Sequence, residues 1–142
     1  MMVRVDGAVI AFGELEALVR APGHGAVVSF YGVVRDHGST GATEQLQYEA
    51  YVAMAEREVA RIAAEARERW GVGQLAVAHR IGWLAVGQIS VGIAVGSAHR
   101  AEAFAACEFV IDQIKLRVPI WKREVGPDGA HWAGEEACNR KP

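Results

Sequence analysis

The chain lacks the features that mark several large protein classes. Its 142 residues include only two cysteines, Cys107 and Cys138, and their spacing is not that of a metal site. No apolar run is long enough to cross a membrane, and the N-terminus has no apolar segment of the secretory type. A net charge of −2 argues against a general nucleic-acid binder, which usually has a basic excess. We therefore expect a reduced, cytoplasmic protein.

The familiar catalytic and nucleotide-binding motifs are also missing. There is no GxGxxG after a strand and no GxxxxGK[ST] loop, so these types of nucleotide binding have no support. HExxH, CxxC and GxSxG are absent, and the five histidines are scattered along the chain. Metal chemistry and a hydrolase triad therefore receive no support from the sequence, and we expect no bound metal and no cofactor.

The composition is that of a globular protein, with 51% hydrophobic and 23% charged residues. The length fits one domain over residues 1–142, with a polar tail over about 133–142. We predict an α+β domain in which two long helices pack on a mostly antiparallel β-sheet. Residue patterns predict three helices, over 13–21, over 53–70 and from Ser97 or Ala98 onward. They predict four strands, over 26–34, 45–51, 75–81 and 89–95. A loop is expected over 35–43, and a short connection between two strands over 82–87.

Two details of this prediction concern packing. The strand over 45–51 is expected to pair antiparallel with the strand over 26–34. In the last helix, the apolar positions predict a buried stripe formed by Phe104, Cys107, Ile111 and Ile114. His79 lies within a strand pattern and is expected to be a structural histidine.

The segment from Lys115 to Glu124 concentrates positive charge in a nearly neutral protein. Lys115, Arg117, Lys122 and Arg123 follow one another with no acidic residue before Glu124. A proline at position 119 should end the preceding helix, because proline lacks an N–H donor. Two lysines held in this way can bind an anion or act in proton transfer. The alternative is a solvated basic helix end that complements the helix dipole.

Two further sites carry cations next to predicted strands. Ser97 to Arg100 follows a strand and opens a helix, where free backbone N–H groups favour an anion and Ser97 is a candidate N-cap. His99 and Arg100 suit a phosphate or a carboxylate at this position. Arg35 directly follows an apolar strand and opens a glycine-containing loop. For each site the alternative is an ordinary cap or a solvated charge.

Several motifs in a fixed order resemble one protein family. From Gly25 to about Trp132 the chain resembles the large, catalytic subunit of molybdopterin synthase. The motifs are GVVR at 32–35, LQYEAY at 46–51 with MA at 54–55, HRIG at 79–82, SAHR at 97–100 with AF at 103–104, Lys115, PIWKRE at 119–124 and Trp132.

The resemblance implies an α/β-hammerhead-like fold and a sulfurtransferase. It implies a homodimer that binds two copies of a small ubiquitin-like sulfur-carrier subunit, giving a heterotetramer. The carrier's C-terminal Gly-Gly thiocarboxylate would deliver two sulfurs to cyclic pyranopterin monophosphate, forming the dithiolene of molybdopterin in molybdenum cofactor biosynthesis. The resemblance assigns catalysis to Lys115 and Lys122. It assigns substrate binding to these lysines and to Val33, Val34, Arg35, His99, Arg100, Arg123 and Glu124.

The chain departs from the family pattern at two places. Gln88 stands where the family commonly has an acidic residue, and the tail diverges after Trp132. Arg140 is only a candidate for a basic residue that the family supplies from this tail.

Helix geometry adds a constraint on such a site. Arg100 and Lys115 are fifteen positions apart on one predicted helix, which places them roughly 22 Å apart along the axis. A pterin monophosphate cannot bridge that distance. If both residues serve one substrate, either the helix breaks between them or they come from different subunits. Residues 101–114 include no proline or glycine that would break the helix, so we predict a site that combines Lys115, Lys122 and Arg35 of one subunit with His99 and Arg100 of another.

Two functions of a different class fit the same cations. The chain could be a non-catalytic module that binds a phosphorylated ligand, or a scaffold whose basic cleft docks an acidic peptide tail. Incorporation of sulfur into a pterin would separate the enzyme from both.

Overall fold

A computed structural model describes residues 1–38, 41–127 and 129–133, which form three helices and ten strands. In chain order these are β1 (Met2–Asp6), α1 (Glu14–Val19), β2 (Ala26–Val33), β3 (His37–Gly38), β4 (Gly41–Ala42), β5 (Gln45–Ala50), α2 (Val52–Trp70), β6 (Gln74–Arg80), β7 (Gly82–Ala85), β8 (Ile89–Ser97), α3 (Arg100–Arg117), β9 (Ile120–Gly126) and β10 (Gly129–Ala133).

The first sheet forms the centre of the protein, with strand order β1-β6-β8-β2. Side chains of successive residues in a strand point to opposite faces. Ile93 of β8 therefore packs with α2 and α3, represented by Ile62 and Val110, whereas Ala94 packs with Leu15 of α1. β8 is buried along its whole length because helices cover both faces.

The second sheet has the order β10-β9-β5-β7 and adjoins the end of the first sheet where β2 ends and β8 begins. Two backbone hydrogen bonds join the sheets there. The Val34 N–H donates to the Gln88 carbonyl, and the Gly87 N–H donates to the Val34 carbonyl, each over 2.9 Å. Val34 packs with Leu46 and Leu84 of the second sheet in a small core of its own. The third sheet is the short β3–β4 hairpin.

Both long helices end where the sequence supplies a stop. Gly71, at a φ of 63°, caps α2 in the left-handed conformation that glycine adopts readily. α3 ends at Arg117, two residues before Pro119, and runs without a break from Arg100. In the described part of the chain, no helix combines the length and apolarity that a bilayer span requires.

The α+β class with mostly antiparallel pairing is confirmed, although the strands form two four-stranded sheets and a small hairpin. β1 and β6 are the one parallel pair among the described strands. The predicted partner of β5 was wrong, because β5 pairs with β7 and β9 and not with β2. The link over 82–87 contains β7, which the sequence analysis missed together with β1.

Two predictions at the start of α3 were also wrong. Ser97 is the buried last residue of β8, and His99 occupies the N-cap position without a side-chain capping bond. Phe104 is 61% exposed, whereas Cys107 and Ile114 are buried as predicted. The residues of the predicted tail from position 134 onward, including Cys138 and Arg140, lie outside the described residues.

Candidate functional site

Lys122 and Arg123 are neighbours in β9 but lie on opposite faces of the second sheet. Lys122 lies opposite Tyr48 in the register of β5, and Glu124 lies opposite Leu46. Because Leu46 belongs to the core beside Val34, this is the inner face, which adjoins the first sheet. The predicted substrate residues Lys122 and Glu124 therefore share the inner face.

Arg123 lies on the outer face between two tryptophan rings. Its guanidinium carbon is 5.5 Å from the ring centre of Trp83 and 5.8 Å from that of Trp132, and its side chain donates a hydrogen bond to Gln47. Cation–π attraction to the two rings and the hydrogen bond to Gln47 hold the Arg123 side chain against residues of β7, β10 and β5. Arg123 is therefore separated from Lys122 by the thickness of the sheet.

A buried polar cluster surrounds the inner face. The Ser90 hydroxyl donates to the Gly32 carbonyl over 3.2 Å and is also hydrogen-bonded to the Tyr48 hydroxyl. Burial raises the pKa of Tyr48, the Ser90 hydrogen bond opposes this, and the Glu124 carboxylate raises it further. His79 is a buried structural residue, as predicted, with its ring 5.0 Å from Tyr48 and its Nδ1–H donating to the Arg80 carbonyl.

The hairpin that follows Arg35 packs closely on β9. Glu124 is 5% exposed, and a Cβ at Gly38 would lie 2.3 Å from its Oε2. Likewise, a Cβ at Gly126 would lie 2.2 Å from the Ala42 carbonyl oxygen. The Glu44 N–H also donates to the Val125 carbonyl over 2.8 Å. These contacts hold the loop of Arg35 against the strand of Lys122.

Arg35, Lys115 and Lys122 lie at the same end of the protein. Arg35 follows β2 at the junction between the sheets, next to buried Val34 and exposed Val33. Two residues separate the end of β8 from the start of α3, and α3 packs back along β8 and β2. Lys115, near the end of α3, therefore lies at the same end of β2 as this junction. The side chains of Arg35 and Lys115 are exposed and form no hydrogen bond or ion pair within the described residues.

His99 and Arg100 lie at the other end of the first sheet. Ser97 pairs with Ala26 at the start of β2, whereas Ile89 pairs with Val33 at its end. The seven residue steps between these pairs span roughly 23 Å. The side chains of His99 and Arg100 are likewise exposed, without a hydrogen bond or ion pair to other described residues. The chain thus presents two groups of available cations, one at each end of β2.

The described residues show neither a reactive thiol nor a cluster of metal ligands. Burial raises the pKa of the Cys107 thiol to about 11, so little thiolate forms at neutral pH. No group of three or more His, Cys, Asp or Glu side chains is placed to hold a metal within the described ranges. The chemistry that this arrangement offers is binding of anions and proton transfer by lysine.

Sequence reasoning missed Tyr48, Ser90 and Gly38 as parts of this site. The period-two pattern of β5 could have placed Tyr48 on the face of Leu46, but nothing local in the sequence indicates that β9 is its neighbour. The close approach of Gly38 to Glu124 joins residues far apart in the chain, and a glycine within a loop does not reveal such a contact.

Comparison with known proteins identifies the family. The family model described as MoaE protein matches residues 5–117. The molybdopterin synthase catalytic subunit of Staphylococcus carnosus (strain TM300) is 49% identical over 115 residues, which are 81% of this chain and 77% of that protein. The chain belongs to the MoaE family. The family model ends before β9, so Lys122, Arg123 and Glu124 lie outside the matched range.

Solved structures of MoaE relatives share the whole fold. The molybdopterin synthase structure from Staphylococcus aureus matches with a TM-score of 0.87 and 41% identity, covering 92% of this chain and 95% of that chain. A complex of subunits 1 and 2 of the molybdopterin-converting factor from Helicobacter pylori 26695 matches with a TM-score of 0.77 and 25% identity, covering 96% and 92%. These two structural matches thus cover a larger share of the chain than the family model, which spans residues 5–117.

Proposed function

We propose that this MoaE chain is the catalytic subunit of a molybdopterin synthase and acts in molybdenum cofactor biosynthesis as a sulfurtransferase. It takes sulfur from the C-terminal thiocarboxylate of a small ubiquitin-like carrier and forms the dithiolene of molybdopterin on cyclic pyranopterin monophosphate. Membership of the MoaE family supports this function. The single structural observation that carries it is the grouping of Lys115, Lys122 and Arg35 at the junction of the two sheets.

The proposed reaction needs proton transfer and charge stabilisation. In each transfer, the thiocarboxylate sulfur forms a carbon–sulfur bond to the precursor while a carbon–oxygen bond of the precursor breaks and its oxygen leaves with a proton. Water then cleaves the bond between the sulfur and the carrier's acyl carbon, so the sulfur stays on the pterin and the carrier leaves as an ordinary carboxylate. Lysine can protonate a leaving oxygen and stabilise the negative charge that develops. The sulfur arrives with the carrier, so the chain needs no reactive cysteine and, in this proposal, no bound cofactor.

The two lysines take different parts in this proposal. Lys115 is exposed at the end of α3, where an incoming carrier tail can reach it, and we assign it to the carrier carboxylate. Lys122 is partly buried on the inner face beside Tyr48, and we assign it to the reacting pterin. Arg35 has no partner among the described residues and can bind the cyclic phosphate.

The complete site requires two copies of the chain. α3 is continuous, so Arg100 and Lys115 of one copy lie roughly 22 Å apart along its axis. We propose that His99 and Arg100 of one subunit complete the site formed by Arg35, Lys115 and Lys122 of the other. A homodimer then has two sites and binds two carriers, as a heterotetramer. We place this assembly in the cytoplasm.

The test is reconstitution from purified parts. The protein is mixed with thiocarboxylated carrier and cyclic pyranopterin monophosphate, and the dithiolene product is assayed. We expect product only when all three are present, and none with a carrier that lacks its last two glycines, because the tail must reach Lys115. Binding of precursor or carrier without any product would instead identify a non-catalytic ligand module or a scaffold.

A further inference from the structure

We propose that Tyr48 is a positioning residue, which holds Lys122 on the second sheet at a fixed place relative to Arg35 beyond the end of β2. The inference rests on the proposed function, in which these two cations bind one precursor molecule. Its effect on binding of the precursor can nevertheless be measured without any transfer of sulfur.

Tyr48 lies between the two cations. It is directly opposite Lys122 in the register of β5 and β9, on the same inner face of the second sheet. Side chains at such paired positions are neighbours, with Cβ atoms about 4.5–5.5 Å apart. The Tyr48 side chain also packs with buried Val34, the residue that precedes Arg35. A movement of this one ring would therefore disturb the surroundings of both cations.

A chain of two hydrogen bonds ties the Tyr48 hydroxyl to the backbone of β2. The Ser90 hydroxyl donates its hydrogen to the Gly32 carbonyl over 3.2 Å, so its oxygen is left to accept from Tyr48. Burial raises the pKa of Tyr48, and the hydroxyl thus keeps the proton that it donates. The chain ends three residues before Arg35.

An irregularity of the first sheet places Ser90 in this chain. Gly32 pairs with Val91, but Val33 pairs with Ile89, so Ser90 is an extra residue of β8 between the two pairs. Bulges of this kind turn a side chain in a new direction and are common beside functional sites. A Cβ at Gly32 would lie 2.7 Å from the Val91 side chain, so the two strands are in close contact at this point.

The end of the chain indicates what the Tyr48 hydroxyl does. A backbone carbonyl does not take up a proton, so the chain cannot relay one to or from a substrate. A phenylalanine could equally fill the apolar surroundings of the ring, which are Val34, Leu46 and Leu84. The hydroxyl adds direction, because a satisfied buried hydrogen-bond network favours one arrangement of its members. Tyr48 therefore acts through Lys122 and Arg35 and not on the reacting atoms.

Tyr48→Phe tests this role, since it keeps the ring and removes the hydroxyl. We expect kcat/KM for the precursor to fall by about tenfold or more, because small displacements of positioning groups are costly. KM for the carrier should not change, because Lys115 lies on α3. The matched control is Tyr31→Phe, which removes a hydroxyl that donates to Glu16 and should leave the kinetics unchanged. Circular dichroism verifies folding, and equal changes in the KM of carrier and precursor would contradict the proposal.

Ser90→Ala interrupts the same chain at its second member. Its loss of kcat/KM for the precursor should be similar, and the double variant with Tyr48→Phe should lose little more than either single variant. The pH profile of turnover should keep its wild-type shape in all three variants. Additive losses would show that the two hydroxyls act separately, and a changed pH profile would identify a proton relay; either result overturns the positioning role.

Calorimetric titration of the precursor without carrier separates this role from the proposed activity. A wild-type protein that binds the precursor but forms no dithiolene contradicts the proposed function, and weaker binding by Tyr48→Phe would still support the positioning role. Dithiolene formation that Tyr48→Phe leaves unchanged supports the function and excludes the role of Tyr48.

Discussion

Gly38 leaves the space that the buried Glu124 carboxylate occupies. All three atoms of that carboxylate group would lie within 2.4 Å of a Cβ at position 38, so any other residue must displace the hairpin or the strand. The hairpin follows Arg35, and the strand carries Lys122. Glu124 thus contacts the protein's own loop, and its effect on substrate would be exerted through the position of Arg35.

Gly38→Ala should therefore raise KM for the precursor by about tenfold or more, with a stability loss of about 1–3 kcal/mol from overpacking. The matched control is Gly23→Ala, because a Cβ there meets nothing within 4 Å. Combining Gly38→Ala with Glu124→Asp, which shortens the acid by one methylene, should recover part of the loss. Steady-state kinetics and urea unfolding measure both effects, and wild-type behaviour of Gly38→Ala would disprove the contact's role.

Lys115→Ala and Lys122→Ala should each lower product formation by roughly 100- to 10,000-fold, the usual contribution of a general acid or base. Neither lysine is a core residue, so the fold should persist in both variants. Arginine should restore little activity at either position, because a guanidinium retains the charge but does not release its proton at neutral pH. Single-turnover assays with circular dichroism provide the test, and full activity of Lys122→Ala would exclude its catalytic role.

Arg123 is expected to behave differently from Lys122, although it is the next residue. Arg123→Ala removes the hydrogen bond to Gln47 and the contacts with Trp83 and Trp132. We expect a loss of roughly 1–2 kcal/mol in the free energy of unfolding. Turnover per folded molecule should fall much less than for Lys122→Ala. Equal losses of turnover in the two variants would show that the outer face contributes directly to the reaction.

An ion cluster joins the two long helices. Arg117 of α3 contacts Glu58 and Glu65 of α2 at 2.6 Å each, and Arg61 contacts Glu58 at 3.2 Å. The hydrogen bond from Arg117 holds the pKa of Glu58 below its ordinary value of 4.5, against the opposing effect of burial. Arg117 ends α3 just before Pro119, so the cluster also holds the start of the segment that leads to Lys122.

Because the pKa of Glu58 is lowered in the folded state, its ion pair stabilises the protein above the unfolded pKa. That contribution is lost as the pH falls through the lowered folded pKa. Glu58→Gln should therefore cost about 0.5–1 kcal/mol at pH 7, the range of a partly exposed pair, and almost nothing at strongly acid pH. Urea unfolding across this range measures the difference, with Glu68→Gln on the same helix as control. A cost that is independent of pH would contradict the ion-pair explanation.

Local sequence patterns predict the helices and strands of this protein better than they predict which strands pair with each other. α2 and the end of α3 follow from local signals, an apolar stripe with Gly71 in one case and Pro119 in the other. The partner of β5 does not follow, because pairing with β9 joins positions more than seventy residues apart, such as Tyr48 and Lys122. It becomes evident that Lys122 and Arg123 lie on opposite faces of the sheet only once this segment is known to be a strand.

At the scale of the whole molecule, two inactive proteins should restore each other. Arg100→Ala and Lys122→Ala damage different halves of each proposed site. After subunit exchange, a mixed dimer has one intact site and one doubly damaged site, so a mixture should recover up to about a quarter of wild-type activity, from half-active dimers at half abundance. The control is a mixture of Lys115→Ala with Lys122→Ala, which lie in the same half and should not recover. Absence of recovery despite demonstrated mixed dimers would place all these residues in one subunit.

The unbroken α3 helix has a mechanical consequence in such a dimer. Its first residue, Arg100, serves one active site, and Lys115, near its end, serves the other. A rigid helix transmits an axial shift from one end to the other with little loss. A displacement of α3 at one site would therefore also move a residue of the second site, so that binding at the two sites would be coupled.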